Sequence, residues 1–206
     1  MKMGLIQRTM WTVFAPSFKR QLSILDAVDS SAVMEKAKQK YRQILADVPS
    51  FGRNDVLLLN LLSAATMAAV YLSLEQRPSL EQVTRYYDAA MSDNFVMRVF
   101  LKSSNYYSKG YQKSLSRQAE RSRRSTNPYS WKFRYTAGSS IDSFDAVFDQ
   151  CGICTLFSRL GIADIIPALC AYDYGMAKWT NTAFSRTHTL AGGGPVCDCH
   201  YQKMGE

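Results

Sequence analysis

The chain has 206 residues, 47% of them hydrophobic and 20% charged, with a formal charge of +8. That composition supports one domain, or a helical cap on a smaller domain, around a real core, and it excludes extended disorder and low complexity. No repeat of solenoid period runs through the chain, and the N-terminal MKMGLIQRTMWTVF is broken by Gln7 and Arg8 and lacks a small-residue cleavage site.

Residues 17–48 read as one or two helices. In AVMEKAKQKYRQILADV, Val33, Ala37, Tyr41, Ile44 and Leu45 fall near one face, with Ser30 or Ser31 as the cap. Pro49 and Gly52 follow it. Asn54 and Asp55 are the candidate caps of the next helix, and Val56 to Leu74 is uncharged for 19 residues. That is about 28 Å of helix, barely enough to span a bilayer. Asn60, Ser63, Thr66 and Ser73 interrupt the run, so a buried central helix is expected and a membrane partner is not.

Ser79 and Gln82 have capping-box spacing after Pro78, and a helix or helix pair follows. The aromatics Tyr86, Tyr87, Phe95, Phe100, Tyr106, Tyr107 and Tyr111 are expected to pack against the central helix. From Arg98 to Arg134 there are ten basic residues and one acid, Glu120. Lys109, Lys113, Arg117, Arg121 and Arg124 recur at helical spacing and form one stripe. No recognition motif accompanies it, so the stripe reads as a solvated face and no nucleic-acid partner is expected.

At Ser130 the period changes to two. Trp131, Phe133 and Tyr135 alternate with polar residues, and after a turn at Gly138 to Ser140 so do Phe144, Ala146 and Phe148. A helix opens at Cys151 and closes at Gly161; a second runs from Asp164 or Pro167 to Trp179. Phe184 to Leu190 and Val196 to Tyr201 read as strands joined by the Gly192 to Pro195 turn. The fold class is α+β: a helical region, 1–127, packed with a region at 128–206 of order β-β-α-α-β-β, an antiparallel sheet with helices on one face.

All five cysteines (Cys151, Cys154, Cys170, Cys197, Cys199) and both histidines (His188, His200) lie in the last quarter of the chain. These are the side chains of choice for nucleophiles, metals and proton transfer near neutral pH. Five is an odd number, and reduced thiols in a cytoplasm are the simpler reading. Cys151 and Cys154 share a face at a helix start, where the terminus favours thiolate. Cys197 and Cys199 share a strand face, and Asp198 and His200 point the other way.

Three readings are open. The first takes the cysteines as small buried residues. The second takes Cys151, Cys154, Cys197 and Cys199 as a zinc set. The third takes them as a thiolate site with Asp173 and Asp198 as acid, base or orienting groups. Arg186 suits a substrate carboxylate, and His188 and Thr189 lie beside it. The GGGP turn precedes a strand and lacks a Lys-Ser/Thr pair, which argues against a nucleotide site.

The ordered string CGIC, LFSRLGI, PALCAYDYGMA, RTHTLAGGG and CDCHY resembles the L-2-amino-thiazoline-4-carboxylic acid hydrolase family. Its pattern falls on Cys151, Leu169-Cys170, Asp173, Arg186 to Thr189, Gly192 to Gly194 and Cys197-Asp198. In that family Cys154 is not general and an aromatic commonly takes the place of Cys199. The resemblance implies a site built on Cys151, Cys170 and Cys197. It implies hydrolysis of a 2-amino-thiazoline carboxylate at its amidine-like C–N or C–S bond, giving a carbamoyl-cysteine, with no cofactor favoured and zinc the possible one. The alternative is a non-catalytic domain that binds a small molecule or metal; a polar, water-accessible setting for the cysteines favours the enzyme.

Overall fold

The computed structural model describes residues 1–205. Eight α-helices are described: α1 (Leu5–Arg20), α2 (Ser30–Ala46), α3 (Leu58–Tyr71), α4 (Leu80–Ser92), α5 (Phe95–Ser103), α6 (Lys109–Ser122), α7 (Gly152–Arg159) and α8 (Ile166–Trp179). Four strands complete the fold: β1 (Lys132–Ala137), β2 (Ser143–Gln150), β3 (Thr182–Ser185) and β4 (Cys197–Lys203).

The expected N-terminal helix starts too late. α1 begins at Leu5 and carries Pro16 inside it. Pro16 removes one helical hydrogen bond, but Phe14, Ser17 and Phe18 bury the face that surrounds it, and tertiary packing holds the helix through the break. α2 is capped by Asp29, one residue before the expected serines. Its carboxylate accepts from the Ser31 and Ala32 amides, both at 2.9 Å.

α3 is the centre of the helical region. Every residue from Leu61 to Tyr71 is buried, and α1, α2 and α7 surround it. Fully buried side chains such as Leu61, Leu62 and Met67 each contribute roughly 1.5–3 kcal/mol. Among the described residues no helix is long and apolar enough to cross a membrane. Neither Asn54 nor Asp55 caps α3; Leu57 does, at a φ of 61°. Asp55 is engaged elsewhere. Its carboxylate accepts from Ser125 Oγ at 2.5 Å, Asn127 Nδ2 at 3.1 Å and the Gly52 amide at 2.6 Å. This ties the entry to α3 to the segment that leads into the sheet.

The capping box at Ser79 and Gln82 is present. Tyr86 and Tyr87 are buried as expected, but Phe95 and Phe100 are 70% and 59% exposed. α5 packs through Met97 and Leu101 and turns its two phenylalanines outward. Tyr106, Tyr107 and Tyr111 meet the sheet and each other rather than the central helix: Tyr106 stacks on Tyr111 and meets Tyr201 edge-on, and Tyr107 lies against Phe144. The basic residues of α6 at 109, 113, 117 and 121, and Arg124 beyond it, are all exposed.

The sheet is antiparallel throughout, in the order β1-β2-β4-β3. Phe144, Ala146 and Phe148 of β2 lie opposite Tyr201, Cys199 and Cys197 of β4. Alternation puts these six on one face. The other face carries Asp145 opposite His200, joined Oδ1 to Nδ1 at 2.6 Å. β3 is shorter than expected and ends at Ser185. Beyond it Arg186 leaves the ladder for partners on α8, and the Thr187 and His188 amides bind the Asp198 carboxylate instead of a strand. The β3–β4 connection is therefore a long loop with a 3-10 turn at Leu190–Gly192, not a tight hairpin.

Candidate active site

Three elements bring the cysteines to the sheet's covered face. Cys151 ends the run of β2 and is the N-cap of α7; Cys154 lies one turn on. The approach depends on Gly152, where a Cβ would sit 2.0 Å from the Tyr129 carbonyl oxygen. Only glycine lets α7 start so close to the chain ahead of β1. Cys170 comes from α8, and Cys197 opens β4. Four of the five are partly open to solvent and Cys199 is buried.

The side chains of Cys151 and Cys154 lie next to each other, one turn apart at the start of α7. That contact holds Cys154 below the ordinary thiol range and, together with burial, pushes Cys151 well above it. Of the two thiols that the helix start was expected to favour as thiolate, the one held lower is Cys154. Burial raises Cys170 to about 12, with Asp173 adding to the effect and Arg186 opposing it. Burial also raises Cys197, while the Leu190 N–H, donating to its sulfur at 3.2 Å, works the other way. Cys199 rises to about 12 through burial. Cys170 and Cys197 both lie within electrostatic reach of Cys151 and Cys154.

Arg186 anchors the other side. Its guanidinium donates to Asp173 Oδ2 and to the Cys170 carbonyl, both at 2.6 Å. It lies against both Tyr174 and Phe184, with ring centroids 5.3 and 5.4 Å from Cζ; the two rings meet each other edge-on at 5.0 Å. The donors expected to hold a substrate carboxylate are thus occupied within the protein. Burial works against the charge of Arg186, but Asp173 beside it more than compensates and its pKa rises. Asp173 keeps 35% of its side chain in contact with solvent. Desolvation still raises its pKa against the pull of Arg186. Tyr106 and Tyr201 are its aromatic neighbours.

Asp198, His188 and Thr189 are placed apart from this group. Asp198 lies on the opposite sheet face from Cys197 and accepts from the Thr187 amide at 3.0 Å, the His188 amide at 2.6 Å and His188 Nδ1 at 3.2 Å. The His188 amide leads the causes that lower its pKa to about 2. A carboxyl held there is a poor proton donor at neutral pH. Thr189 Oγ1 accepts from the Gly192 amide at 2.9 Å and caps the 3-10 turn. These three residues shape the loop that carries the Leu190 N–H to Cys197.

Among the described residues no three Cys, His, Asp or Glu side chains gather as a metal ion requires. The zinc set of Cys151, Cys154, Cys197 and Cys199 is not assembled: Cys199 sits deeper on β4, next to Arg186. Sequence spacing alone did not reveal Leu190, whose contribution is a backbone N–H, or Gly152, whose contribution is the space it leaves. Tyr174 and Phe184 were legible only as aromatics near Asp173 and Arg186.

A comparison with curated proteins gives no match. The family model for L-2-amino-thiazoline-4-carboxylic acid hydrolase matches residues 60–201, from the central helix to the last strand. The match takes in every cysteine, Asp173 and the Arg186 anchor, and the chain belongs to the L-2-amino-thiazoline-4-carboxylic acid hydrolase family.

Proposed function

We propose that the protein opens a 2-amino-thiazoline carboxylate by hydrolysis and that the Cys151–Cys154 pair supplies the nucleophile. The observation that carries this reading is the adjacent thiol pair at the start of α7, within electrostatic reach of Cys170 and Cys197, which in turn lie near the Asp173 carboxylate. Four partly exposed cysteines suit a reacting cleft better than a sealed core, which favours catalysis over a purely binding role.

The chemistry follows from the ring. Its C2 atom, between two nitrogens and a sulfur, is electrophilic. Attack by the thiolate of the pair forms a new C–S bond and expels the ring sulfur as a thiolate, which takes up a proton. The amidino carbon is then bound to the protein's sulfur. Water adds to that carbon, the protein's thiolate leaves, and a carbamoyl-cysteine remains. The sum is ring plus water. Asp173, partly open and next to aromatic rings, would use the carboxylate oxygen not bonded to Arg186 to hold the protonated amidine nitrogens. Cys197, whose sulfur accepts from the Leu190 N–H, is within electrostatic reach of the pair. Unpaired thiols in this number suit a reducing, cytoplasmic setting, and a small molecule rather than nucleic acid is the partner.

The test is direct. The purified protein is incubated with L-2-amino-thiazoline-4-carboxylate and the release of a low-molecular-weight thiol is followed. Turnover is expected in the parent chain and loss of turnover in Cys151→Ser, Cys154→Ser and Cys197→Ser, each folded by circular dichroism. No thiol release above the uncatalysed rate sinks the reading.

A further inference from the structure

We propose that Cys151 and Cys154 also form a redox-active dithiol, which reduces low-molecular-weight disulfides by exchange and closes into a Cys151–Cys154 disulfide. The inference goes beyond the hydrolytic reading and does not depend on it.

The geometry is the first support. Cys151 is the N-cap of α7 and Cys154 is three residues on, at N3. Residues three apart across a helical turn have Cα atoms about 5 Å apart. Disulfides need roughly 4.4–6.8 Å. The two side chains lie next to each other, so a side-chain rotation is enough to close the bond. The second support is placement. The pair follows directly from β2 at the N-terminus of α7, where unpaired backbone N–H groups stabilise a thiolate. Both residues are partly open to solvent, so a small disulfide can reach them. Cys199, by contrast, is buried.

The exchange balances without a further reactant. The Cys154 thiolate attacks one sulfur of the small disulfide, and one thiolate leaves and takes a proton from solvent. Cys151 then gives up its proton and attacks the Cys154 sulfur, displacing the second thiolate. Two protein thiols are oxidised and one disulfide is reduced to two thiols. Attack is assigned to Cys154, whose thiol is held the lower of the two, and the closing of the bond rests on the N-cap and N3 spacing.

The experiment uses the full chain, reduced and freed of reductant, incubated with 2-hydroxyethyl disulfide, alkylated, and mapped by peptide mass spectrometry. Expected is the loss of two of the five alkylatable thiols, with the Cys151–Cys154 bond inside one peptide. Cys151→Ser removes the resolving thiol and is expected to stop at a mixed disulfide on Cys154. Cys154→Ser is expected to react more slowly by on the order of tenfold, because the favoured thiolate is gone. Five thiols surviving in the parent chain overturns the proposal. So does a disulfide that joins either residue to Cys170 or Cys197, or a Cys154→Ser chain that reacts as fast as the parent.

Discussion

Arg186 and Asp173 form an ion pair at 2.6 Å, with 7% of the arginine side chain exposed. The pair joins the end of β3 to α8, and through the Cys170 carbonyl Arg186 also fixes the helix on which Cys170 rides. Removing one partner leaves the other charge without its counterpart in a poorly solvated place. Arg186→Met is therefore expected to cost about 2–4 kcal/mol, somewhat less than a fully buried pair because Asp173 is partly solvated. Replacing both, with Asp173→Leu added, should recover at least half of that loss. Urea denaturation of the single and double variants measures it. A double variant no more stable than the single one would show that the pair is not the main issue at this position.

Gly152 holds the site by what it lacks. A methyl group at this position would press on the Tyr129 carbonyl, a backbone atom that cannot rotate away. Gly152→Ala should displace the first turn of α7 and cost about 1–3 kcal/mol, as overpacking does. The local consequence is sharper than the global one. The Cys151–Cys154 contact should be lost, and the rate of alkylation at Cys154 near neutral pH should fall. Unchanged alkylation in a folded variant would mean that the backbone relaxes without moving the thiols.

Much of this site was legible in the chain. Alternation along Trp131 to Tyr135 and Phe144 to Phe148 marks the two strands, and Cys-Asp-Cys-His separates the sulfurs from Asp198 and His200 by face alone. Local signals such as the Ser79 capping box also survive folding, because both partners lie within one turn. Partners distant in sequence were not legible. Asp55 has the composition of a helix cap, yet it binds Ser125 and Asn127 some seventy residues on. Arg186 looks available to a ligand until α8 brings Asp173 to it. Asp198 looks like a catalytic acid until the loop amides of Thr187 and His188 claim its carboxylate. In each case a polar side chain is satisfied by a group that only tertiary structure supplies.

Two buried tyrosines make a matched pair. Tyr172 Oη has no hydrogen-bond partner among the described residues, whereas Tyr86 Oη donates to the Phe18 carbonyl at 3.0 Å. A buried hydroxyl without a partner costs its desolvation, and one with a partner contributes about 1 kcal/mol. Tyr172→Phe should be neutral or stabilising by up to about 1 kcal/mol, and Tyr86→Phe should destabilise by about that amount. Thermal or chemical denaturation decides between them. A clear loss of stability in Tyr172→Phe would indicate a partner for that hydroxyl, such as an ordered water.

Asp198 sets a pH dependence with a defined sign. Its carboxyl is held at about 2, below the ordinary 3.8, chiefly by the His188 amide. A carboxylate whose pKa is lower in the folded chain stabilises the fold above the unfolded value. That contribution is complete above about 3.8 and is lost as pH falls toward 2. Acidification through this window should release the Thr187 and His188 amides together, which their NMR chemical shifts would report. Asp198→Asn should remove the step, since an amide oxygen accepts more weakly and carries no charge. The loop from Arg186 to Val196 should then loosen at neutral pH. Because that loop carries the Leu190 N–H that donates to Cys197, alkylation of Cys197 should become faster in the variant. Amides that stay unshifted down to pH 2, or an unchanged Cys197 rate in Asp198→Asn, would uncouple Asp198 from the sulfur it is argued to shelter.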